Sequence, residues 1–421
     1  MQLQLQTVLN NVHRLKYFVY ADVRLVPGVG ARAARVEARL EPRKNSRGRC
    51  PICDEAGGTY DHQPERRFDF VPLWGLLVML LYTPRRVDCR THGVHVESMP
   101  WAKGKSQMCT AYMIFLATWA RRLSWAETAR VFASTWDNVY RSVQWIVEYG
   151  LEHRDLDGIA AIGVDEVQYR KGHKYLTLVY QIDAGCRRLL WITETRTIKA
   201  FKGFFDWLGK PRSQALRVVC SDMWKPYLKV IQRHAGQALN VLDKFHIVAH
   251  LNKAVDETRR MDASDLRKAG DNVTLKHTRW CLLKRPGNLT VKQDGRLRGL
   301  LRANLKTTRA YLLKEDFNHF WGYVSPAWAG KFLDRWCEMV MRSGIEPMKA
   351  KAKMLRSHRD LILNYFRAKK EYSSSVVEGL NTKVKLVTRK AYGYRKAETI
   401  KTALFHTLGR LPEPPLTHRF A

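Results

Sequence analysis

Acidic residues are scarce in this chain. Against 73 Lys and Arg, its 421 residues hold only 39 Asp and Glu, which leaves a formal charge of +34 at pH 7 with histidine neutral. That imbalance argues against a basic partner and for a polyanionic one, because neutralising phosphates and releasing their counterions drives association. Long apolar runs are also missing. The best candidate, LWGLLVMLLY over 73–82, is ten residues long, about half of what a bilayer-spanning helix needs. It is expected to be a buried helix or strand, and no membrane partner is expected. The opening stretch MQLQLQTVLNNVHRLKYFVY has no apolar segment followed by a small-residue cleavage site, so no secretory leader is read there. Cysteine is sparse: eight residues, scattered apart from one close pair. This argues against a disulfide framework and fits a reducing cytosol with one metal site. Internal repeats and low-complexity tracts are absent too.

What remains is globular in composition, 45% hydrophobic and 27% charged, and long enough for two or three domains with cores of their own. Residues 1–100 carry a basic stretch, EPRKNSRGRCPIC, and then alternating segments such as RRFDF and RRVDC that read as short strands. Residues 101–157 are helical in pattern. From Ile159 the texture changes: IAAIGVDEV, KYLTLVYQID and RRLLWITE are β-rich runs separated by short polar turns, an antiparallel meander. A helix over TIKAFKGFFDWLG, ended by Gly209 and Pro211, leads into a fourth strand, ALRVVCSD; a helix from Lys225 to Ala235 and a fifth strand, ALNVLD, follow. No strand pattern recurs from Phe245 to Lys370, and a strongly basic helix closes the chain. Segment 344–411 holds 16 Lys and Arg against 5 acids, as a DNA-lining surface would.

Two features of the first 157 residues point to DNA binding. Cys50-x2-Cys53 and Cys89-x2-His92 form two knuckles that together supply four tetrahedral zinc ligands, with His62 and His95 as rival donors. The competing view is two buried thiols and an exposed turn histidine. The expected zinc ion is structural, helping a small unit with few apolar residues to fold. WAETARVFASTWDNVYRSVQWIV then reads as a helix-turn-helix: a first helix from Trp125 to Ala133, Ser134 and Thr135 as caps, and a second helix from Trp136 that offers Asp137, Asn138, Tyr140 and Arg141 to a groove. Any pair of packed core helices would share that pattern.

Three acids carry the chemistry. Asp165 sits on a strand of small and apolar residues, where a carboxylate needs a partner or a metal. Asp222 ends the fourth strand. Glu378 opens a helix on which, at 100° per residue, Glu378, Asn381, Lys385 and Arg389 form one stripe opposite Val377, Leu380, Val384 and Val387. Each acid has an ordinary alternative: Ser375-x-x-Glu378 is also a capping box, Asp222 also a helix cap, and Asp183 and Asp243 are further strand-end acids. Glu166 alternates to the opposite face from Asp165, so only one of the two is expected in a site. Strand-borne and helix-borne carboxylates together make a divalent-metal site, and on so basic a chain such a site acts on nucleic acid.

With these residues in hand, the chain resembles the DDE transposases of bacterial insertion sequences, and within them the ISL-three family. The likeness rests on C-P-x-C with a later C-x2-H, the helix-turn-helix, GVDE, SDMWKPY, DKFHIVAHLN, LLKRPGNLT and above all VVEGLNTKVKLVTRKAYGYR, and it covers nearly the whole chain. It implies an α/β chain whose ribonuclease-H-like core, a mixed five-stranded sheet, occupies 158–245 and 371–411. An all-helical insertion fills 246–370, a zinc domain (1–100) and a helix-turn-helix domain (101–157) precede the core, and 412–421 forms a tail. It implies Asp165, Asp222 and Glu378 as the catalytic triad holding two Mg²⁺ or Mn²⁺ ions, with Cys50, Cys53, Cys89 and His92 holding one zinc. Asp243-x2-His246 falls where related transposases carry an Asp/Cys-x2-His motif. His92 departs from the family, whose second knuckle often ends in cysteine. DNA contacts are expected from Asn138, Tyr140, Arg141, Asn381, Lys385 and Arg389. The partners are the element's terminal inverted repeats, target DNA and further copies of the chain in a synaptic complex, in the bacterial cytoplasm at the nucleoid. Two other readings are a DNA-binding regulator with a decayed core and a nuclease of RNA–DNA hybrids.

Overall fold

The computed structural model describes residues 4–28, 33–170, 172, 174–371 and 375–415. They divide into two compact units, Met1–Asp155 with Val387–Ala421, and Leu156–Leu386.

The first unit begins with helix α1 (Leu5–Val12) and strands β1 (Phe18–Val26), β2 (Arg35–Pro42), β3 (Gly48–Arg49), β4 (Ala56–His62), β5 (Arg66–Leu73), β6 (Leu76–Tyr82), β7 (Arg85–Cys89) and β8 (Gly93–Val96). They form two four-stranded sheets, ordered β1-β2-β6-β5 and β3-β4-β7-β8. The apolar run at 73–82 is the turn and second strand of a hairpin whose first strand is β5. Leu73 pairs with Leu76 across Trp74 and Gly75, both at positive φ, the conformation that two-residue hairpin turns require. The region is richer in apolar packing than its sequence suggested: Trp101 meets Phe18 and Tyr82 edge-on at 4.8 and 5.1 Å. Helices α2 (Thr110–Ala120), α3 (Trp125–Val131) and α4 (Trp136–His153) join the same core, as do Ala403 and Leu411 from the end of the chain. A capping box between Ser124 and Glu127 starts α3, and the Thr135 hydroxyl caps α4.

The second unit opens with the expected meander, β9 (Ala161–Arg170), β10 (Lys174–Asp183) and β11 (Cys186–Glu194). Helix α5 (Ile198–Leu208) follows. At Gly209 the chain turns at φ 85° into a short helix that the sequence did not suggest, α6 (Lys210–Ala215), with Pro211 in its first turn where a missing N–H costs nothing. Then come β12 (Val218–Ser221), α7 (Lys225–Ala235) and β13 (Leu239–Leu242). The sheet runs β11-β10-β9-β12-β13, with β9, β10 and β11 antiparallel and β12 parallel to both β9 and β13. Ile162, Val164, Val179 and Val219 bury one face under Phe201, Phe204, Phe205 and Tyr227 of α5 and α7. Seven helices follow: α8 (Lys244–Lys268), α9 (Arg279–Leu283), α10 (Val291–Leu301), α11 (Lys306–Phe317), α12 (Pro326–Arg342), α13 (Glu346–Ser357) and α14 (Arg359–Arg367). They surround a core of their own that includes Phe317, Phe320, Leu333 and Trp336. Helix α15 (Ser375–Lys390) then lays Val377 against Gly163 of β9, and α16 (Ala397–Leu408) follows it.

Candidate active site and metal centre

In the first unit, the two knuckles meet. Cys50, Cys53, Cys89 and His92 place their donor atoms within 4.8 Å of one another, and no other His, Cys, Asp or Glu group among the described residues does so. Sulfur–sulfur separation is 3.6 Å for Cys53 and Cys89, and His92 Nδ1 lies 3.6 Å from Cys89 Sγ and 3.8 Å from Cys50 Sγ. Zinc bonds of about 2.3 Å to sulfur and about 2.05 Å to nitrogen, at the tetrahedral angle, require separations of about 3.8 and 3.6 Å. The donors fit that ion. Amide hydrogens of Cys53 and Ile52 directed at its sulfur pull the Cys50 thiol down to about 6, whereas at Cys53, against the Glu55 N–H, burial and the Cys89 and Cys50 sulfurs push the thiol up to about 11. Of the rival ligands, His95 is spent on the His92 carbonyl at 2.8 Å, and His62 lies outside the cluster.

On the same unit, Thr135 Oγ1 accepts the Asn138 N–H at 3.1 Å, and Asn138 Nδ2 donates to Ser134 Oγ at 3.3 Å. Asp137 is held by Arg141 at 2.8 Å, one turn on. Tyr140 stacks on Trp136, centroids 5.4 Å apart and planes 14° apart. Trp136, Asp137 and Arg141 are exposed, whereas Asn138 and Tyr140 are half-buried.

In the second unit, Asp165 shares a sheet face with Gly163 and, across the register, with Leu178 and Tyr180. Its Oδ1 accepts the Glu166 N–H at 2.7 Å, and its Oδ2 accepts Asn381 Nδ2 at 2.5 Å. The Tyr180 hydroxyl donates to the other end of that amide at 2.7 Å, so Asn381 is held from both sides. Burial raises the Asp165 carboxyl above its ordinary range. Asp243 and Asp222 push it the same way, and the Glu166 N–H and His246 oppose them.

Asp222 lies one residue beyond β12 and is half-buried. Its Oδ1 accepts the Trp224 N–H at 3.0 Å and its Oδ2 meets Arg196 Nη2 at 3.1 Å. Arg196 also places Nε 3.2 Å from Glu166 Oε1, and its guanidinium lies over the Trp224 ring at 4.6 Å. Glu166, next to Asp165 on β9, alternates to the opposite face of the strand. Burial raises the Glu166 carboxyl, and both Asp222 and Asp165 add to the shift. Asp243 caps α8 by accepting the Phe245 N–H at 2.7 Å.

Glu378 is exposed on the first turn of α15. Its carboxylate does not close with those of Asp165 and Asp222 around one point, since no such trio among the described residues lies within 4.8 Å. The capping-box reading needs the Ser375 side chain, which falls outside the described residues. Val377, Leu380 and Val384 are buried and Lys385 and Arg389 exposed, as the helix stripe predicts. Asn381 is the exception at 7% exposure. On the helical wheel it sits about 40° from Val377, at the margin of the packed face, and its amide is committed to Asp165 and Tyr180. Arg196, Tyr180 and Tyr227 escaped sequence reasoning. Only the position of Arg196, between the third strand and the Thr197 cap of α5, hinted that it stands at a strand end.

Residues 162–404 match the family described as transposase, the ISL3-type DDE group. The transposase for insertion sequence element IS1001 of Bordetella parapertussis is 31% identical over 354 residues, covering 82% of this chain and 86% of that protein. The transposase for insertion sequence element IS1557 of Mycobacterium tuberculosis is 27% identical over an alignment of 441 positions, covering 96% and 95% of the two chains.

Proposed function

Because the chain belongs to the ISL-three family of insertion-sequence transposases, we propose that it cuts the ends of its element and joins them to target DNA by metal-dependent phosphoryl transfer. The observation that carries this reading is the set of acids around Asp165: Asp222 and Asp243 lie within its electrostatic reach, Asp165 and Asp222 lie within that of Glu166, and Arg196 pairs with Glu166 and Asp222. Raised carboxyls with several acidic neighbours mark a site that a divalent cation would relieve.

Asp165 and Asp222, with Glu378 as the third donor, would hold two Mg²⁺ or Mn²⁺ ions; carboxylate oxygens are the hard donors those ions prefer. When bound, the ions supply activation of water and then of a DNA 3′-hydroxyl for in-line attack on phosphorus. Asn381 fixes the orientation of the Asp165 carboxylate. Arg196 anchors Asp222 and Glu166 against repulsion. Lys385 and Arg389, exposed one turn apart on α15, would take phosphates of the DNA backbone.

Three antiparallel strands followed by two parallel ones support a ribonuclease-H-like reading of the core, with the seven helices after β13 as its insertion. Helices α3 and α4 support a helix-turn-helix reading in which Asn138, Tyr140 and Arg141 help to read the terminal inverted repeats, next in sequence to a structural zinc. Pairing two ends calls for at least two copies of the chain in the synaptic complex. No described helix is long and apolar enough to cross a membrane, and the proposed place of action is the bacterial nucleoid.

Asp165→Asn and Asp222→Asn should each abolish Mg²⁺-dependent cleavage of end-sequence DNA while leaving its binding intact. Undiminished cleavage by either variant would remove the proposed chemistry.

A further inference from the structure

The segment AYGYR, Ala391 to Arg395 directly after α15, has no part in the chemistry above. Within the first unit it faces the start of α3 and α4 across a groove of about 810 Å³, a small-ligand volume rather than one that would admit a duplex. Its floor is Trp125, which meets Trp136, Tyr140 and Tyr394 at centroid distances of 5.7, 5.6 and 5.9 Å. Trp136 lies parallel to Tyr140 and is 46% exposed, so a large aromatic surface is open to solvent.

Tyr392 is the more unusual residue. The Tyr392 N–H bonds the Arg389 carbonyl and the Gly393 N–H bonds the Thr388 carbonyl, the double closure of a Schellman helix end. Tyr392 therefore occupies the left-handed position, φ 52°, that glycine fills at least cost. Its side chain is 101% exposed. The fold gains nothing from an aromatic ring there.

The charges around the groove are one-sided. Asp137 is paired with Arg141, and Glu127 is spent on the Ser124 cap. Lys390 donates to the Ala120 and Arg121 carbonyls. Arg130, Arg395 and Lys396 remain exposed at the rim. Aromatic faces surrounded by exposed cations are the means by which unpaired nucleotides are held: the rings stack on bases and the cations take the phosphates.

We propose that this groove binds unpaired nucleotides of a DNA single strand, with Trp136 and Tyr392 as stacking residues. The proposal rests on the transposase reading for its choice of DNA. The test uses the full chain and fluorescence anisotropy with two probes, a labelled oligothymidylate of about twelve nucleotides and a duplex of equal length. Tyr392→Ala and Trp136→Ala should each weaken single-strand binding by about 5- to 150-fold, the equivalent of roughly 1–3 kcal/mol per stacked base, and Tyr392→Ala should leave duplex affinity unchanged. Tyr392→Phe and Trp136→Phe should bind like the parent chain. Tyr392→Gly should lose single-strand binding while melting no lower than the parent, which separates the ring's role from folding. Wild-type single-strand affinity in both alanine variants, or an equal loss on both probes in Tyr392→Ala, would overturn the proposal. Cleavage is not read in this assay, so failure of the triad variants to lose cleavage is a separate outcome.

Discussion

Replacing Gly163 by alanine should disable the site without touching an acid. A Cβ built at Gly163 would sit 2.4 Å from Val377 Cγ2, whereas Ile182 Cγ2 at 3.5 Å and Cys220 Cβ at 3.8 Å are ordinary neighbours. Carbon atoms pack at about 3.5–4.0 Å, so the added methyl overlaps one side chain by more than about 1 Å. Val377 is 4% exposed, so any shift of its side chain must displace packed neighbours. Overpacking of this kind costs about 1–3 kcal/mol, against about 0.4–1 kcal/mol gained by restricting the unfolded chain, so the net effect is destabilising. Each kcal/mol lowers Tm by about 2–4 °C in a domain of this size. The strain falls between the strand bearing Asp165 and the helix turn bearing Glu378, so the Asp165–Asn381 hydrogen bond should open and cleavage fall with it. Thermal melts and end-cleavage assays of Gly163→Ala, Val377→Ala and the double variant form a cycle. Val377→Ala should cost less in the alanine-163 background than alone, by a coupling of about 0.5–3 kcal/mol. A Gly163→Ala protein with parental Tm and full cleavage would refute the packing argument.

Three further outcomes are expected. Metal analysis should find one zinc per chain, and Cys53→Ser or a strong chelator should lower the melting temperature; a metal-free chain of unchanged stability would contradict the zinc assignment. Burial, aided by Arg121 and Lys390, holds His406 neutral with its pKa down at about 3 against 6.5 when unfolded. Its contribution is complete above about pH 6.5 and is lost as pH falls toward 3, a loss on the order of a few kcal/mol, and His406→Leu should flatten that part of the acid-unfolding profile. Arg196→Ala removes the cation shared by Glu166 and Asp222, so Mn²⁺ should raise the variant's Tm more than the parent's; equal shifts would mean that Arg196 does not balance the acids.

Much of this architecture was readable because its signals are local. β-branched runs interrupted by short polar turns mark β9, β10 and β11, and the C-x2-C and C-x2-H spacings mark the four donors that the fold gathers. Ser124, Thr135 and Thr197 announce helix starts through their own hydroxyls. What escaped depends on contacts between distant segments. Arg196 acquires its place only when β9 and β12 lie side by side, and Asn381 meets Asp165 and Tyr180 only once α15 packs on the sheet at Gly163. The apolar run at 73–82 was ambiguous because a left-handed tryptophan, Trp74, gives no turn signal of its own. The aromatic core of the first unit was underestimated for a similar reason: Phe18, Tyr82 and Trp101 are far apart in sequence.

Asp165, Asp222 and Glu378 are proposed to act as one catalytic set, although their carboxylates do not all lie within 4.8 Å of one another. The direct measurement is strand cleavage and strand transfer on the element's own end sequences in Mg²⁺, comparing the parent chain with Glu378→Gln. Glu378→Gln should bind the ends with parental affinity and yield neither cleaved nor joined product. Cleavage at the parental rate would contradict it and exclude Glu378 from the site.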